Sequence, residues 1–218
     1  MQEFLRPTFY FDYEHPAVRD FAEQASKGAK TPEQTAIQLF YAARDQIRYN
    51  PYTLSLKPEA MKASYVLGTG QSYCIPKAVL LGAAARYKGI PSKLTLCDVR
   101  NHIASQKLLD FLKTDYFAMH GFIEFYLNGN WIKATPAFNL DLCRKMKVPP
   151  LDFNGKDDSV FQQHTEDGKS YMEYMKFHGS FEDVPFDLII KTLRETYPHL
   201  IQDQILMSGS SLEDDLKK

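Results

Sequence analysis

Cysteine is scarce in this chain: Cys74, Cys97 and Cys143 are too few and too scattered for a disulfide framework. No apolar stretch approaches the ~20 residues that a membrane-spanning helix needs. The opening residues, Met-Gln-Glu-Phe-Leu-Arg-Pro, lack the basic region and apolar run of a secretory leader. Together these favour a reduced, cytoplasmic setting. Neither sign of charge is in excess, since 26 Lys and Arg face 27 Asp and Glu for a net charge of −1. With no basic stretch standing out, neither nucleic acid nor a membrane surface is expected as a partner. Cys-x-x-Cys and His-x-x-x-His pairs are absent, so a zinc site drawn from Cys74, His102 and His120 has little support. No metal and no cofactor is expected. No internal repeat is visible.

Apolar residues make up 44% of the chain, with 15 Phe and 13 Tyr, enough for a packed core. His15 to Lys27 has helical spacing, with Val18, Phe21, Ala22 and Ala25 on one side. Thr31-Pro32-Glu33 predicts a helix start, a capping Thr followed by Pro and Glu in the first turn, and that helix should run to about Arg48. A short helix is expected from Pro58 to about Val66. Beyond Gly89 the pattern changes to strands: Ser92 to Cys97, Phe117 to Leu127, and Trp131 to Ala134. The last two are joined by Asn128-Gly129-Asn130, residues that tolerate the positive φ of a hairpin turn. A further turn and strand are expected within 168–177, and a last helix from Asp187 to Tyr197. Helices first and mostly antiparallel strands after them predict an α+β fold. Residues 1–207 are expected to form a single domain, with a core at about 35–140 and an extension over 141–207. Residues 208–218 read as a polar, disordered tail.

The chemistry centres on Cys74. Residues 68–91 read as a loop, a thiol and then a helix. Pro76 suits a first turn, alanine and leucine favour the helix to Tyr87, Gly89 ends it and Pro91 cannot continue it. The helix N-terminus, with its free N–H groups and dipole, favours an anion, so a thiol there is a candidate nucleophile. A thiolate needs a base, usually His. His120 opens an alternating strand in which His120, Phe122, Glu124 and Tyr126 share one face, while Met119, Gly121, Ile123, Phe125 and Leu127 form an apolar one. Counting back from the hairpin turn places Thr135 and Pro136 near His120.

The Gly70-Gln-Ser-Tyr-Cys74 block with its alanine-rich helix and Arg86-Tyr-Lys-Gly-Ile-Pro91 resembles the nucleophile helix of the transglutaminase-like superfamily of cysteine enzymes. His120, Glu124, Tyr126, Gly129 and Trp131 resemble its histidine block, and Tyr41 to Tyr49 is similar to the helix that precedes its core. The resemblance implies a papain-related architecture with Cys74 as nucleophile and His120 as general base. The family's third residue is an Asp, and its position here is Thr135. A hydroxyl can orient an imidazole without raising its basicity. Asn139 is a possible substitute, by analogy with Cys-His-Asn enzymes, and Asp141 a weaker one. The Cys74 backbone N–H, Gln71 and the Tyr73 hydroxyl are candidate oxyanion donors. Asn101 or His102 could line the pocket. The implied activity is attack on a peptide or protein amide through a Cys thioester, hydrolytic rather than cross-linking: a cysteine peptidase or amidase, with acyl transfer as the related outcome.

Bland readings stand beside these. Cys97 and Cys143 read as buried small hydrophobes. Thr135 and Asn139 are ordinary turn or helix-cap material, and Glu124 reads as a solvated strand residue. The missing Asp keeps alive a binding or scaffold protein that retains the fold without the chemistry. The oligomeric state is not legible in the sequence.

Overall fold

The computed structural model describes residues 1–161, 164, 165, 168–202 and 211–216. Helices α1 (Pro16–Ala25), α2 (Pro32–Gln46) and α3 (Ala63–Thr69) come first, and with them a two-residue parallel pair, β1 (Arg48–Tyr49) and β2 (Gln71–Ser72). Thr31 caps α2 as expected, its hydroxyl accepting from the Gln34 N–H, and Pro32 follows in the first turn. Helix α4 (Cys74–Tyr87) is the hub. Thirteen of its residues, Cys74 to Arg86, are buried, as expected of a helix apolar on all sides.

Strand β3 (Ser92–Asn101) leads through α5 (Gln106–Leu112) to β4 (Tyr116–Leu127) and β5 (Asn130–Ala134). Next come α6 (Leu140–Met146), β6 (Met172–Phe181), α7 (Phe186–Thr196), α8 (Pro198–Gln202) and α9 (Leu212–Asp215). The four longer strands form one antiparallel sheet in the order β5-β4-β3-β6. Asn128 and Gly129 both carry positive φ at the hairpin, 50° and 84°. The architecture is α+β.

Two buried basic side chains lock α4 to its neighbours. Lys77, 0% exposed, donates from Nζ to the carbonyls of Arg44 and Ile47 at the end of α2. Burial lowers its pKa to about 7. Arg86 donates to the carbonyls of Arg6, Ser92 and Glu182, and its guanidinium lies 3.9 Å from the Phe11 ring centre. It therefore pins the end of α4 to the amino-terminal segment, the start of β3 and the end of β6.

The polar stretch expected to fray is folded where it is described. Ser211 caps α9 through the Glu213 N–H, and Leu212 is 4% exposed. The rest of the expected tail, residues 208–210, 217 and 218, lies outside the described residues, as does residue 207 at the proposed domain boundary. Glu124 is buried as well, accepting from the hydroxyls of Thr95 and Ser180 and pairing with Lys93. Residues on both faces of β4 are buried, and the strand packs against α4, α7 and α2.

Contact between α4 and β4 relies on small residues. A Cβ at Gly121 would lie 2.8 Å from Ile75 Cγ1 and 3.1 Å from Ile75 Cα. The second atom is backbone of the first turn of α4 and cannot rotate away. Gly121→Ala is therefore expected to reduce unfolding free energy by about 1–3 kcal/mol, measured as a lower urea midpoint. Gly68→Ala, where a Cβ would meet nothing within 4 Å, should hold or raise that midpoint.

Candidate active site

Tyr73 is the N-cap residue of α4 and Cys74 its first residue. The backbone N–H groups of Cys74 and Ile75, together with that of Gly121 on β4, lie where they favour a thiolate on the Cys74 sulfur. Burial outweighs them. Cys74 is 8% exposed and its thiol is pushed up to about 11. His120, the residue before Gly121, is 5% exposed, and burial lowers its imidazole to about 4. Near neutral pH both groups are therefore uncharged in this structure.

Cys74 and His120 line one apolar cavity of about 100 Å³, together with Tyr73, Phe161, Tyr197 and Leu212. The His120 ring centre lies 5.1 Å from that of Phe161 and 6.4 Å from that of Phe122. His120 Nε2 and the Tyr73 hydroxyl are buried without a hydrogen-bond partner. Both atoms belong to residues of the cavity wall.

The backbone before His120 is held in an unusual state. Met119 has φ 59°, in the left-handed region that a non-glycine residue seldom adopts. Its N–H donates to Asp98 Oδ1 at 2.9 Å. Asp98 also accepts from the Tyr116 hydroxyl at 2.6 Å and from His178 Nε2 at 2.8 Å. Burial pushes the Asp98 carboxyl up, yet these donors outweigh it and hold the group below the usual carboxylate range. The β3–β4 register shifts between Cys97 and Val99 at this place. Asp98 was not among the predicted site residues. Its signal was a carboxylate two places after Leu96, where the alternation of Leu94 and Leu96 calls for another apolar residue.

The other predicted residues divide. Tyr73 and Asn101 are on the cavity wall, while Gln71 and His102 are not. Gln71 accepts from Asn50 Nδ2 at 3.2 Å, beside the short parallel pair. His102 is a third exposed and faces Glu173 at 3.5 Å. Asn139 is the N-cap residue of α6, and its Oδ1 accepts from the Tyr49 N–H at 3.0 Å. Asp141 lies on the surface beside Arg144. Thr135 is buried, its N–H donating to the Ser159 carbonyl and its hydroxyl unpartnered. The expected chain of hydrogen bonds from sulfur to imidazole to an oxygen after Trp131 is not formed. Asn139 is already committed to Tyr49, and the imidazole packs among aromatic rings. Cys97 and Cys143 are buried thiols, in keeping with their bland readings.

The family model of the transglutaminase-like superfamily matches residues 19–136. Among solved structures, a putative cysteine protease from Cytophaga hutchinsonii aligns with TM-score 0.48 and 14% identity, over 81% of this chain and 54% of that one. The arylamine N-acetyltransferase from Mycobacterium abscessus aligns with TM-score 0.42 and 14% identity, over 61% of this chain and 46% of that one. The chain thus spans about half the length of these two structures. No curated protein matches it. No helix among the described residues is long and apolar enough to cross a membrane.

The lowered imidazole has a thermodynamic consequence. Between its ordinary value near 6.5 and about 4, the unfolded chain binds a proton at His120 that the folded chain does not. Stability from this group is therefore complete above about pH 6.5 and lost as pH falls toward 4, on the order of 3 kcal/mol in all. His120→Gln should lack this component. Urea unfolding of both proteins between pH 7 and pH 4.5 should show the variant losing less stability with acid; parallel losses would contradict the assignment.

Proposed function

The chain belongs to the transglutaminase-like superfamily, and from that premise we propose that it is a cysteine enzyme acting on amide or peptide bonds. Cys74 Sγ attacks the carbonyl carbon, its proton passing to His120. The oxyanion is met by the N–H groups of Cys74 and Gly121, with the Tyr73 hydroxyl as a third donor. His120 returns the proton to the leaving nitrogen as the carbon–nitrogen bond breaks, and an amine departs from a thioester on Cys74. Water then attacks the thioester, giving a carboxylic acid and restoring the thiol. Hydrolysis is favoured over transfer to an amine by the resemblance alone.

The observation that carries the proposal is the shared cavity. A thiol at a helix N-terminus and an imidazole 46 positions later in the chain line the same wall, with two polar atoms left unpaired. Thr135, in the place of the family's Asp, supports a second reading, a binding protein on the same scaffold. Without a carboxylate the imidazolium lacks its usual counter-charge.

An activated ester separates the two. Exposed to p-nitrophenyl acetate, the enzyme should release nitrophenol and gain one acetyl group on Cys74, seen as a 42 Da increase by mass spectrometry, a generic mass for one acetyl group. Cys74→Ala should remove that adduct, and His120→Ala should slow its formation by about 100-fold or more. Acylation at other residues, or at Cys74 with a rate indifferent to His120, would favour the scaffold.

A further inference from the structure

Helix α9 completes the wall of the cavity that holds Cys74 and His120. Leu212, 4% exposed, and Leu216, one helical turn later on the same face, both stand on that wall. The helix is held by acidic side chains reaching groups from three separate parts of the fold. Asp215 accepts from the Tyr52 hydroxyl at 2.5 Å and from Lys107 Nζ at 2.8 Å. Its side chain is only 1% exposed. Glu213 accepts from Lys145 Nζ at 2.5 Å, and the same contact, with help from Asn139, lowers its pKa below the usual range.

With α9 in place, the site leaves little room for the chemistry proposed above. About 100 Å³ remains beside Cys74, against roughly 300–1,000 Å³ for an ordinary ligand pocket. Cys74 is 8% exposed, and movement of part of the wall would give a peptide carbonyl readier access to its sulfur. Helix α9 is a four-residue part of that wall, tied across the fold by the side chains of Glu213 and Asp215. If it left, it would uncover an apolar hollow to which Leu54, Phe111 and Met146 contribute, rimmed by Lys107, Lys145 and the Tyr52 hydroxyl.

We propose that this hollow and its cationic rim are a recognition site for an acidic peptide segment. Such a segment carries a leucine-sized side chain with carboxylates one and three residues after it, and α9 is the chain's own occupant of the site. The aliphatic side chain fills the cavity wall where Leu212 stands. One carboxylate meets Lys145, and the other is gripped between Lys107 and Tyr52. A segment bound in place of α9 lies on the cavity that Cys74 and His120 share. That the segment is a substrate rests on Cys74 being the nucleophile; that α9 covers the sulfur does not.

The test reads access to the sulfur rather than catalysis. Glu213→Gln with Asp215→Asn keeps the shape of α9 and removes the two charges that meet Lys145 and Lys107. In the full chain this variant should be alkylated at Cys74 by iodoacetamide at least tenfold faster than the unsubstituted protein, with the site located by mass spectrometry. Lys107→Gln with Lys145→Gln breaks the same pairs from the other side and should give the same acceleration. An acetylated peptide Ser-Leu-Glu-Asp-Asp-Leu, added to the Glu213→Gln, Asp215→Asn variant, should restore slow alkylation. A peptide with Gln and Asn at the first and third acidic positions should not, and neither peptide should protect the lysine variant. Unchanged alkylation in both variants, or equal protection by the two peptides, would overturn the proposal. An unreactive ester probe together with accelerated alkylation would reject the catalytic reading and leave the binding site standing.

Discussion

Gly121 lets the backbone of β4 lie against Ile75, in the first turn of α4, at a distance no larger residue permits. That approach brings a strand N–H to the Cys74 sulfur, beside the N–H groups of the helix itself. It also fixes His120, one residue earlier, on the same cavity. Lys77 and Arg86 hold the opposite ends of α4 through backbone carbonyls of distant segments. The helix thus cannot slide along the sheet without leaving buried donors unpaired, a change more costly than losing a surface contact. The position of the thiol follows from packing on all sides of one helix.

A different device sets the imidazole. Asp98 spends its three hydrogen bonds on Tyr116, His178 and the N–H of Met119. The last of these stabilises a left-handed residue that a regular strand would not contain. Strain of this kind persists only where surroundings over-determine it. A buried carboxylate with three donors is such a surrounding, and it stands on β3, the neighbour of the strand it distorts. The geometry at His120 therefore depends on a charge that never touches the cavity.

Much of this was legible in the sequence because it rests on local rules. The start and end of α4 follow from Pro76, Gly89 and Pro91, and the hairpin from Asn128-Gly129. Simple alternation could not describe β4, because both its faces are covered and its register with β3 shifts beside the left-handed Met119. Glu124, which alternation assigned to solvent, is buried against Thr95, Ser180 and Lys93. Gln71, His102 and Asn139 carry the right chemistry for a site, but their partners, Asn50, Glu173 and Tyr49, come from elsewhere in the chain. Composition made residues 208–218 look unstructured. The overlooked signal was Leu212 and Leu216, four apart on one face of a short acidic segment.

The quiet electrostatics of the site and its cover have one physical origin. Burial alone accounts for the lowered imidazole, and burial is the largest influence raising the thiol. Both shifts express the loss of water from a charged form. Leu212 and Leu216 contribute to that exclusion. On the covering role inferred for α9, any displacement that admits a polar segment also returns hydration and hydrogen-bonding groups to the sulfur and the ring. The N–H groups of Cys74, Ile75 and Gly121 already favour a thiolate and need no rearrangement to do so. Opening would then relieve the desolvation that opposes them, so one motion would both admit the segment and move proton affinity from sulfur toward imidazole. The positions of the backbone donors would stay as the packing of Gly121 on Ile75 sets them.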